Sequence, residues 1–415
     1  MVAQTRRLDD ILPLVFGAWP LFALLPELLA PGQNVTIIAI LGIHYAVLGL
    51  LIAWFLATHS APLGSPTKRP AVLILCGLLL WAALVTLVFA ENRIYGLLKL
   101  VELSGFILAG LAATHLYRRA GDAFAAHLLR ALATGLILAL LLSMTADLVF
   151  RDAFEGTRIP GFIHIRIFGF SAAIAIALSI GWIASSPFDH RESAPAYVLL
   201  FVSWTVLFWS ASRGGIISIL LAFALLATLI KPLRRVWLHV LTAMAIGFAA
   251  ALVLPGLGNS GATTILAHDL EINNLSSGRW ALWERVIGFI QERPLTGHGY
   301  AQYYALAVEA GDAPERAMPH VHNIVLEAWL AIGGLATVLL AGLVLWSWLG
   351  WLRSERAASS EAGIGSLLGV TTLLAYALLD GVYFYPEAAL PFAVMAGILV
   401  ARRDIDRTEW NGRTC

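Results

Sequence analysis

The chain has 415 residues, of which 59% are hydrophobic and 13% charged, and its mean hydropathy is +0.81. Soluble domains carry about 25% charged residues, so this composition excludes an ordinary soluble protein and predicts an all-α integral membrane protein. The formal net charge of +1 gives no support for nucleic-acid binding.

Apolar runs that are long enough to cross a bilayer recur along the whole chain. A hydrocarbon core requires about 20 mostly apolar residues per helix. Between the ninth and tenth of these runs lies a long polar stretch, residues 257–322, hereafter the polar segment. We therefore expect one polytopic domain over residues 1–415, with about 12 transmembrane helices and one large, partly helical loop insertion. The candidate spans are roughly 11–29, 36–57, 71–90, 95–115, 124–149, 167–185, 196–211, 214–230, 236–255, 323–350, 364–382 and 387–401.

The distribution of basic residues predicts the orientation of the chain. Lysine and arginine are more frequent in cytoplasmic loops than in outer loops. With a cytoplasmic N-terminus, sixteen basic residues lie on the cytoplasmic side and nine on the outer side. Both termini are then cytoplasmic, and the polar segment faces outward. All nine outer basic residues, Arg166 among them, are arginines, whose planar guanidinium can pair with a phosphate through two hydrogen bonds.

The tight turn between the seventh and eighth spans contains Arg213. It has the sequence Ser-Ala-Ser-Arg-Gly-Gly at residues 210–215, which places the arginine at the outer membrane–water boundary. The two glycines permit close backbone approach, and Ser212 and the start of the next helix add hydrogen-bond donors. The turn therefore predicts either a site for a lipid phosphate or an arginine that extends to the interface without a ligand.

The polar segment contains a predicted amphipathic helix that begins at Arg279 and ends before Pro294. Ser277 is its candidate N-cap. Such a helix would lie on the membrane or on the helical bundle, with Arg279 beside the free amide donors of its first turn. Its predicted apolar face consists of residues at helical spacing: Trp280, Trp283, Ile287 and Ile290.

Histidines on the predicted outer side are candidate catalytic groups, because imidazole can accept a proton at neutral pH. A single histidine can equally be a structural residue. His322 is favoured because it directly precedes the tenth span, at the outer boundary. His320 is its nearest rival for the catalytic role or else supports it, and His298, in a Gly-His-Gly turn, is expected to contact substrate or to gate the site. The full set is His164, His298, His320 and His322.

Asp380 ends the eleventh predicted span, and an acid at the membrane edge normally has a partner. It either orients His322, pairs with an arginine, or caps the turn at Gly381. The predicted outer loops contain no cluster with metal-ligand spacing, and the sequence has no glycine-lysine phosphate loop. We therefore expect a substrate that arrives already activated, and neither a metal nor a cofactor.

Four motifs characterise the second half of the chain: Ser-Arg-Gly-Gly at 212–215, Ser-Gly-Arg at 277–279, Pro-Leu-Thr-Gly-His-Gly at 294–299, and His-Asn at 322–323. Together with the span count and the outer loop, they resemble the O-antigen ligase and O-antigen polymerase superfamily of bacterial envelope glycosyltransferases. The resemblance covers essentially the whole chain. In the ligase branch, a histidine and a small polar residue are followed by nine residues, Gly-x-x, and then Gly, Thr or Tyr; here His322 and Asn323 form the pair, and Ala336 occupies the last position.

The resemblance implies a fold like that of the C-type membrane glycosyltransferases and the activity of an O-antigen ligase. Such a ligase transfers O-antigen polysaccharide from undecaprenyl diphosphate to a sugar hydroxyl of lipid A–core during lipopolysaccharide biosynthesis. The reaction takes place at the periplasmic face of the bacterial inner membrane. It is expected to need no metal and to invert the anomeric centre.

Carried over by position, the resemblance implies catalytic roles for His322, Arg213 and Arg279. The departing diphosphate needs stabilisation of its negative charge, which Arg213 and Arg279 would supply by binding it. His322 would act as the base on the acceptor hydroxyl. Further residues are expected to bind substrate: Ser212, Arg166, His320, His298 and Asp380.

Three alternatives to a ligase remain at this point. An O-antigen polymerase uses the same donor with a lipid-linked acceptor, and a protein O-oligosaccharyltransferase transfers to a protein. A transporter of lipid-linked saccharides belongs to a different class. It would predict charges near the bilayer midplane and inverted repeats with broken helices.

Overall fold

A computed structural model of the chain describes residues 2–29, 34–58, 70–149, 159–160, 162, 165–185, 190–254, 279–313, 318–354 and 358–413. Over these residues the regular structure is helical, apart from one isolated bridge between Ile159 and Phe162. Six of the helices that it describes are long and apolar enough to cross a membrane. The prediction of a helical integral membrane protein is confirmed at this level, and the count of twelve crossings stays a prediction.

The helices follow the predicted apolar runs closely, because the length of an apolar run is a local property of the sequence. In chain order they are α1 (Val2–Leu29), α2 (Asn34–Thr58), α3 (Pro70–Phe89), α4 (Arg93–Val149), α5 (Ile165–Ser185), α6 (His190–Trp209), α7 (Arg213–Leu229), α8 (Lys231–Arg235), α9 (Trp237–Val253), α10 (Arg279–Glu292), α11 (Tyr303–Glu309), α12 (Ile324–Ile332), α13 (Gly334–Leu352), α14 (Glu361–Ala377) and α15 (Pro386–Arg413). A short 3-10 turn, Val382–Phe384, precedes α15.

Three predicted spans differ from the structure in their continuity. The runs 95–115 and 124–149 both lie in α4, which is interrupted at Gly121 by a backbone with φ 80° and ψ −170°. The run 323–350 is divided into α12 and α13 at Gly333, where φ is 78°. Glycine adopts positive φ without a steric penalty, so both breaks occur where the chain can turn at little cost. The division at Gly333 makes α12 a separate short helix.

Helix α5 is the central element of the bundle. It packs against α4, α6, α7 and α14, and all of its residues from 167 to 184 are buried. A helix that is apolar around its whole circumference must be shielded from water on every side, by other helices or by lipid. Here other parts of the protein cover it. Glycines allow the closest approach: a Cβ at Gly181 would lie 2.5 Å from the backbone of Gly365 in α14. The N-terminal end of α14, which contains Gly365, is therefore held directly against α5.

The described part of the polar segment packs on itself and on α12. Helix α10 begins at Arg279 among the described residues, and its four predicted apolar residues do not all lie on the face that packs against protein. Trp280 and Ile287 are 62% and 45% exposed, whereas Val286 and Ile290 are buried. Relative to the predicted face, the packed face is rotated towards α11 and α12. The packed cluster consists of Val286, Ile290, Tyr303, Leu306, Ala307, Val321 and Leu330.

Hydrogen bonds attach residues 293–302 to the corner between α3 and α4. The side-chain amide of Gln302 is buried. Its Oε1 accepts from Asn92 N at 2.8 Å, and its Nε2 donates to Asn92 O at 3.1 Å. The amide of Tyr300 donates to Thr86 Oγ1 at 3.0 Å. Arg293 donates to Phe89 O at 3.1 Å. Buried backbone groups of an irregular stretch need such partners. These bonds hold residues 293–302, which lie between α10 and α11, against the corner between α3 and α4.

Candidate active site

The fold brings four charged or titratable side chains from distant parts of the chain into one cluster. His322 Nδ1 lies 2.7 Å from Asp380 Oδ1. The other carboxylate oxygen, Oδ2, accepts a hydrogen bond from Arg279 Nη2 at 2.7 Å and lies 3.6 Å from Arg166 Nε. We call His322, Asp380, Arg279 and Arg166 the His322 cluster. Asp380 is at its centre and contacts each of the other three.

Asp380 is positioned by the end of α14. Its amide donates to Tyr376 O at 2.8 Å, and its Oδ1 also accepts from the amide of Gly381 at 2.7 Å. The three predicted alternatives for this acid are therefore compatible: it contacts the histidine, pairs with arginines and caps the turn at once. Both carboxylate oxygens are occupied, as a buried carboxylate requires.

The charges of the cluster favour an ionised Asp380. Burial alone raises the pKa of Asp380, but the hydrogen bond from His322 and the charges of Arg166 and Arg279 outweigh it and hold the pKa well below its usual value. Burial lowers the pKa of Arg279 despite the neighbouring Asp380, with a further contribution from Arg166. The cluster then holds two guanidinium charges against one carboxylate charge. It has an excess of positive charge that suits an anionic ligand.

His322 is a neutral imidazole at neutral pH. Burial lowers the pKa of His322 below its ordinary value, and this effect exceeds the opposing hydrogen bond and charge of Asp380. The 2.7 Å contact assigns the Nδ1 proton to the bond with Asp380, because a carboxylate can only accept. Arg166 Nη1, at 3.4 Å from the same nitrogen, is a contact rather than a second donor to it. Nε2 is left with a lone pair and can accept a proton.

Arg279 has an N–H donor that no described residue accepts. It uses Nη2 for Asp380, while its buried Nε has no hydrogen-bond partner among the described residues. A buried unpaired donor on a charged group is costly, so this atom points to a ligand that accepts a hydrogen bond. The predicted N-cap of α10, Ser277, lies outside the described residues.

The predicted turn at residues 210–215 reaches the cluster through Tyr376. Ser212 Oγ lies 3.2 Å from the Tyr376 hydroxyl, which donates to Arg166 O at 3.3 Å. Ser212 immediately precedes α7 and makes no side-chain cap, since its hydroxyl faces Tyr376 instead. Arg213, the first residue of α7, is half-buried. The turn is thus joined by two hydrogen bonds to the backbone of an arginine in the His322 cluster.

His320 lies directly against His322. The two rings meet edge to face with centroids 4.1 Å apart, and His320 is stacked on Phe384 at 5.3 Å. Its Nε2 lies 3.4 Å from the hydroxyl of Tyr385. A Cβ at Gly381 would overlap the His320 ring, so only glycine fits there. The predicted substrate-binding role of His320 stays a prediction.

The remaining histidines are not placed in the cluster. His298 is buried in its turn, with Nε2 2.8 Å from Phe289 O and its amide donating to Leu330 O at 2.7 Å. These bonds join the turn to α10 and α12, and the described contacts of His298 include none with His322. Its predicted contact with substrate stays a prediction. His164 lies outside the described residues.

Sequence reasoning missed the two tyrosines of the site. Tyr376 precedes Asp380 by one helical turn, and this spacing was a usable signal, since side chains four residues apart lie on one face of a helix. Tyr385 follows the 3-10 turn, whose geometry has no comparable signature. Its hydroxyl reaches His320 only because the turn folds back against residues 318–323.

Comparison with known proteins identifies part of the chain with a family. The family model described as O-antigen ligase matches residues 198–341, which contain Arg213, Arg279 and His322 but neither Arg166 nor Asp380. A protein of Haemophilus influenzae that carries only the name "Uncharacterized protein" is 20% identical over 235 residues. That alignment covers 52% of this chain and 58% of the relative, so it spans little more than half of either protein. Residues 198–341 therefore match an O-antigen ligase domain, which supports membership of the chain in the O-antigen ligase superfamily of glycosyltransferase-like ligases and polymerases.

Proposed function

We propose that the protein is an O-antigen ligase of the bacterial inner membrane, with its active site at the periplasmic face. It transfers a polysaccharide from undecaprenyl diphosphate to a sugar hydroxyl of lipid A–core. The observation that carries the proposal is the His322 cluster, which combines a neutral histidine with two arginines around one buried carboxylate. The distribution of basic residues supports the orientation, with both termini cytoplasmic.

The arginines act on the donor. When the bond between the anomeric carbon and the diphosphate oxygen breaks, the oxygen leaves with the electron pair and gains negative charge. Arg279, with its spare donors, stabilises that charge together with Arg213 from the adjoining turn. Arg166 adds positive charge beside them. A diphosphate is a good leaving group, so this step needs charge stabilisation and no proton.

His322 acts on the acceptor. A sugar hydroxyl is a weak nucleophile, and its oxygen attacks the anomeric carbon while Nε2 of His322 accepts the proton. Asp380 holds the Nδ1–H side of the ring and stabilises the imidazolium that forms. The oxygen enters opposite the departing diphosphate, so the anomeric centre is inverted.

A polymerase is the second candidate, and Ala336 is the observation that favours it, since the ligase motif has Gly, Thr or Tyr there. The two activities share the donor and differ in the acceptor. A gel of envelope polysaccharide from a deletion strain separates them. Loss of a ligase leaves bare lipid A–core and long polymer on the carrier lipid, whereas loss of a polymerase leaves core with a single repeat. Donor that accumulates on the cytoplasmic side would instead indicate a transporter.

The direct test is transfer by the purified protein in the presence of a metal chelator. Lipid-linked polysaccharide and lipid A–core are supplied in detergent or nanodiscs, and product is followed on a gel. The proposal expects polysaccharide-bearing lipid A–core to appear. If transfer occurs only to a second lipid-linked saccharide or to a protein, the ligase assignment is wrong.

Replacing Arg213 with alanine is expected to weaken donor binding more than it slows turnover. A hydrogen bond to a charged group contributes about 1.5–3 kcal/mol, which corresponds to an increase of about 10- to 100-fold in the donor KM. Arg213→Lys should be intermediate, because an ammonium keeps the charge and loses the bidentate geometry. Arg234→Ala, at an exposed arginine of α8, is the matched control and should leave the KM unchanged. An unchanged KM in Arg213→Ala would contradict the donor role.

Activity is expected to fall on the acid side with a midpoint below pH 6.5. His322 must be neutral to accept a proton, and burial lowers its pKa below the ordinary value of about 6.5. Activity is therefore fully present above that value and is lost as pH falls through the lowered pKa. The measurement is kcat/KM against pH, which reports groups of the free enzyme. A midpoint above pH 7 would contradict a buried, neutral base.

A further inference from the structure

Helix α12 carries an acid whose purpose the transfer mechanism leaves unexplained. Glu327 is the one acid in the apolar run 323–350 and is only 4% exposed. Burying a carboxyl group in apolar surroundings is costly unless it makes a specific hydrogen bond. Leucine at this position would be cheaper for packing alone.

The hydrogen bond that Glu327 makes is to the peptide just before His322. Its Oε2 accepts from the Val321 amide at 3.0 Å, and both groups are buried. The carbonyl of the same residue accepts from the indole of Trp283 in α10 at 3.1 Å. Val321 is therefore held from both sides, by α12 through its N–H and by α10 through its C=O.

The backbone at His322 needs such support. Its φ of 59° lies in the left-handed region, which is unfavourable for a residue other than glycine. On its far side, Asn323 caps α12 by accepting from the amides of Val325 and Leu326, and it donates to Leu378 O at 3.0 Å. The unusual conformation thus lies between two anchored residues. Released at Val321, the chain would relax and carry the ring away from Asp380.

We propose that Glu327 is a positioning residue for the catalytic base: by accepting the Val321 N–H, it holds His322 in the left-handed conformation that directs its ring to Asp380. Trp283 completes the anchor and also couples it to α10, because Arg279 lies one helical turn before Trp283. This link keeps His322 and Arg279 in fixed positions relative to each other. The expected effect on kcat rests on the proposed function, whereas the anchoring of the backbone at Val321 and His322 does not.

The catalytic test compares Glu327→Leu with Glu327→Gln. Leucine removes the acceptor, and a misplacement of about 1 Å in a catalytic group can reduce turnover by about 100-fold. We expect kcat of Glu327→Leu to fall by about 10- to 100-fold on this basis, with the donor KM changed less than about threefold. The amide oxygen of Glu327→Gln can still accept from Val321, so this variant should retain most of the wild-type kcat. Thr372→Val is the control for general destabilisation. It removes the buried hydrogen bond from Thr372 Oγ1 to Leu368 O in α14 and should leave kcat unchanged.

A second measurement is independent of any activity. Hydrogen–deuterium exchange of the peptide that contains Val321 and His322 should be about 10-fold faster or more in Glu327→Leu, because a buried hydrogen bond protects the Val321 amide. Exchange in Glu327→Gln and Thr372→Val should match wild type. If wild type shows no transfer but exchange behaves as expected, the proposed function fails and the positioning role survives.

A double-mutant cycle with Trp283→Phe tests whether both residues act through one peptide. Phenylalanine removes the indole donor, and the losses of kcat in Trp283→Phe and Glu327→Leu should then be less than additive. Additive losses of kcat would show that Trp283 and Glu327 do not act through the same peptide, which contradicts the proposed role of Trp283. Equal loss of kcat in Glu327→Gln and Glu327→Leu, or unaltered exchange at Val321 in Glu327→Leu, would overturn the proposal.

Discussion

Replacing His322 with alanine is expected to reduce kcat by about 100- to 10,000-fold, the range that general base catalysis typically contributes. The donor should still bind with an affinity within about threefold of wild type, because charge-assisted hydrogen bonds from arginine dominate its recognition. The loss is confined to proton removal from the acceptor hydroxyl, since Nε2 of His322 is the free acceptor in the cluster. The measurement is single-turnover transfer by purified protein, with donor binding determined separately.

The matched control for this variant is His127→Ala. His127 is an exposed histidine of α4 whose Nδ1 lies 2.7 Å from Ala123 O, and it should be dispensable for transfer. Rescue of His322→Ala by added imidazole would support the base role directly. Full transfer by His322→Ala would remove the base assignment, while loss of donor binding would show that the histidine mainly supports the arginines.

Replacing Asp380 with asparagine is expected to lower kcat by about 100- to 10,000-fold, as loss of the carboxylate behind a catalytic histidine can do. The neutral amide no longer stabilises the imidazolium, and the ring loses its preference for the Nδ1–H tautomer. The variant should also unfold at a lower temperature. Removal of one partner of a buried ion pair typically costs about 3–5 kcal/mol, and the partial exposure of Arg166 reduces that cost here.

Asp312→Asn is the matched control for the carboxylate. Asp312 pairs with Arg285 at 2.6 Å in the polar segment, but both side chains are 33% exposed, so the pair contributes little to stability. We expect kcat and the melting temperature of this variant to match wild type. If Asp380→Asn lowers only the melting temperature and leaves kcat intact, Asp380 is an anchor for the arginines and not a partner of the base.

Several parts of the site were accessible from sequence because they depend on neighbours in the chain. His322 was favoured by its place at the start of a helix, where Asn323 is the N-cap. The helix at Arg279 was predicted from a start signal and a helical repeat. Glu327 carried a signal that was not used, namely an isolated acid in an apolar run. Trp280 of the predicted apolar face is exposed, because the repeat alone does not say which side of a helix packs against protein.

The helical membrane class, the approximate positions of most helices and the residue types available for chemistry can all be predicted from the chain's composition and pattern. These follow from composition and from the spacing of apolar residues, which act over one or two helical turns. The meeting of four residues in one cluster, by contrast, is visible only in the packed fold: Arg166, Arg279, His322 and Asp380. Their pairwise contacts join residues 58, 101 and 156 positions apart, and such contacts depend on how whole helices pack. The same packing buries His322 beside Asp380, and this burial lowers the pKa of the imidazole and favours its neutral form.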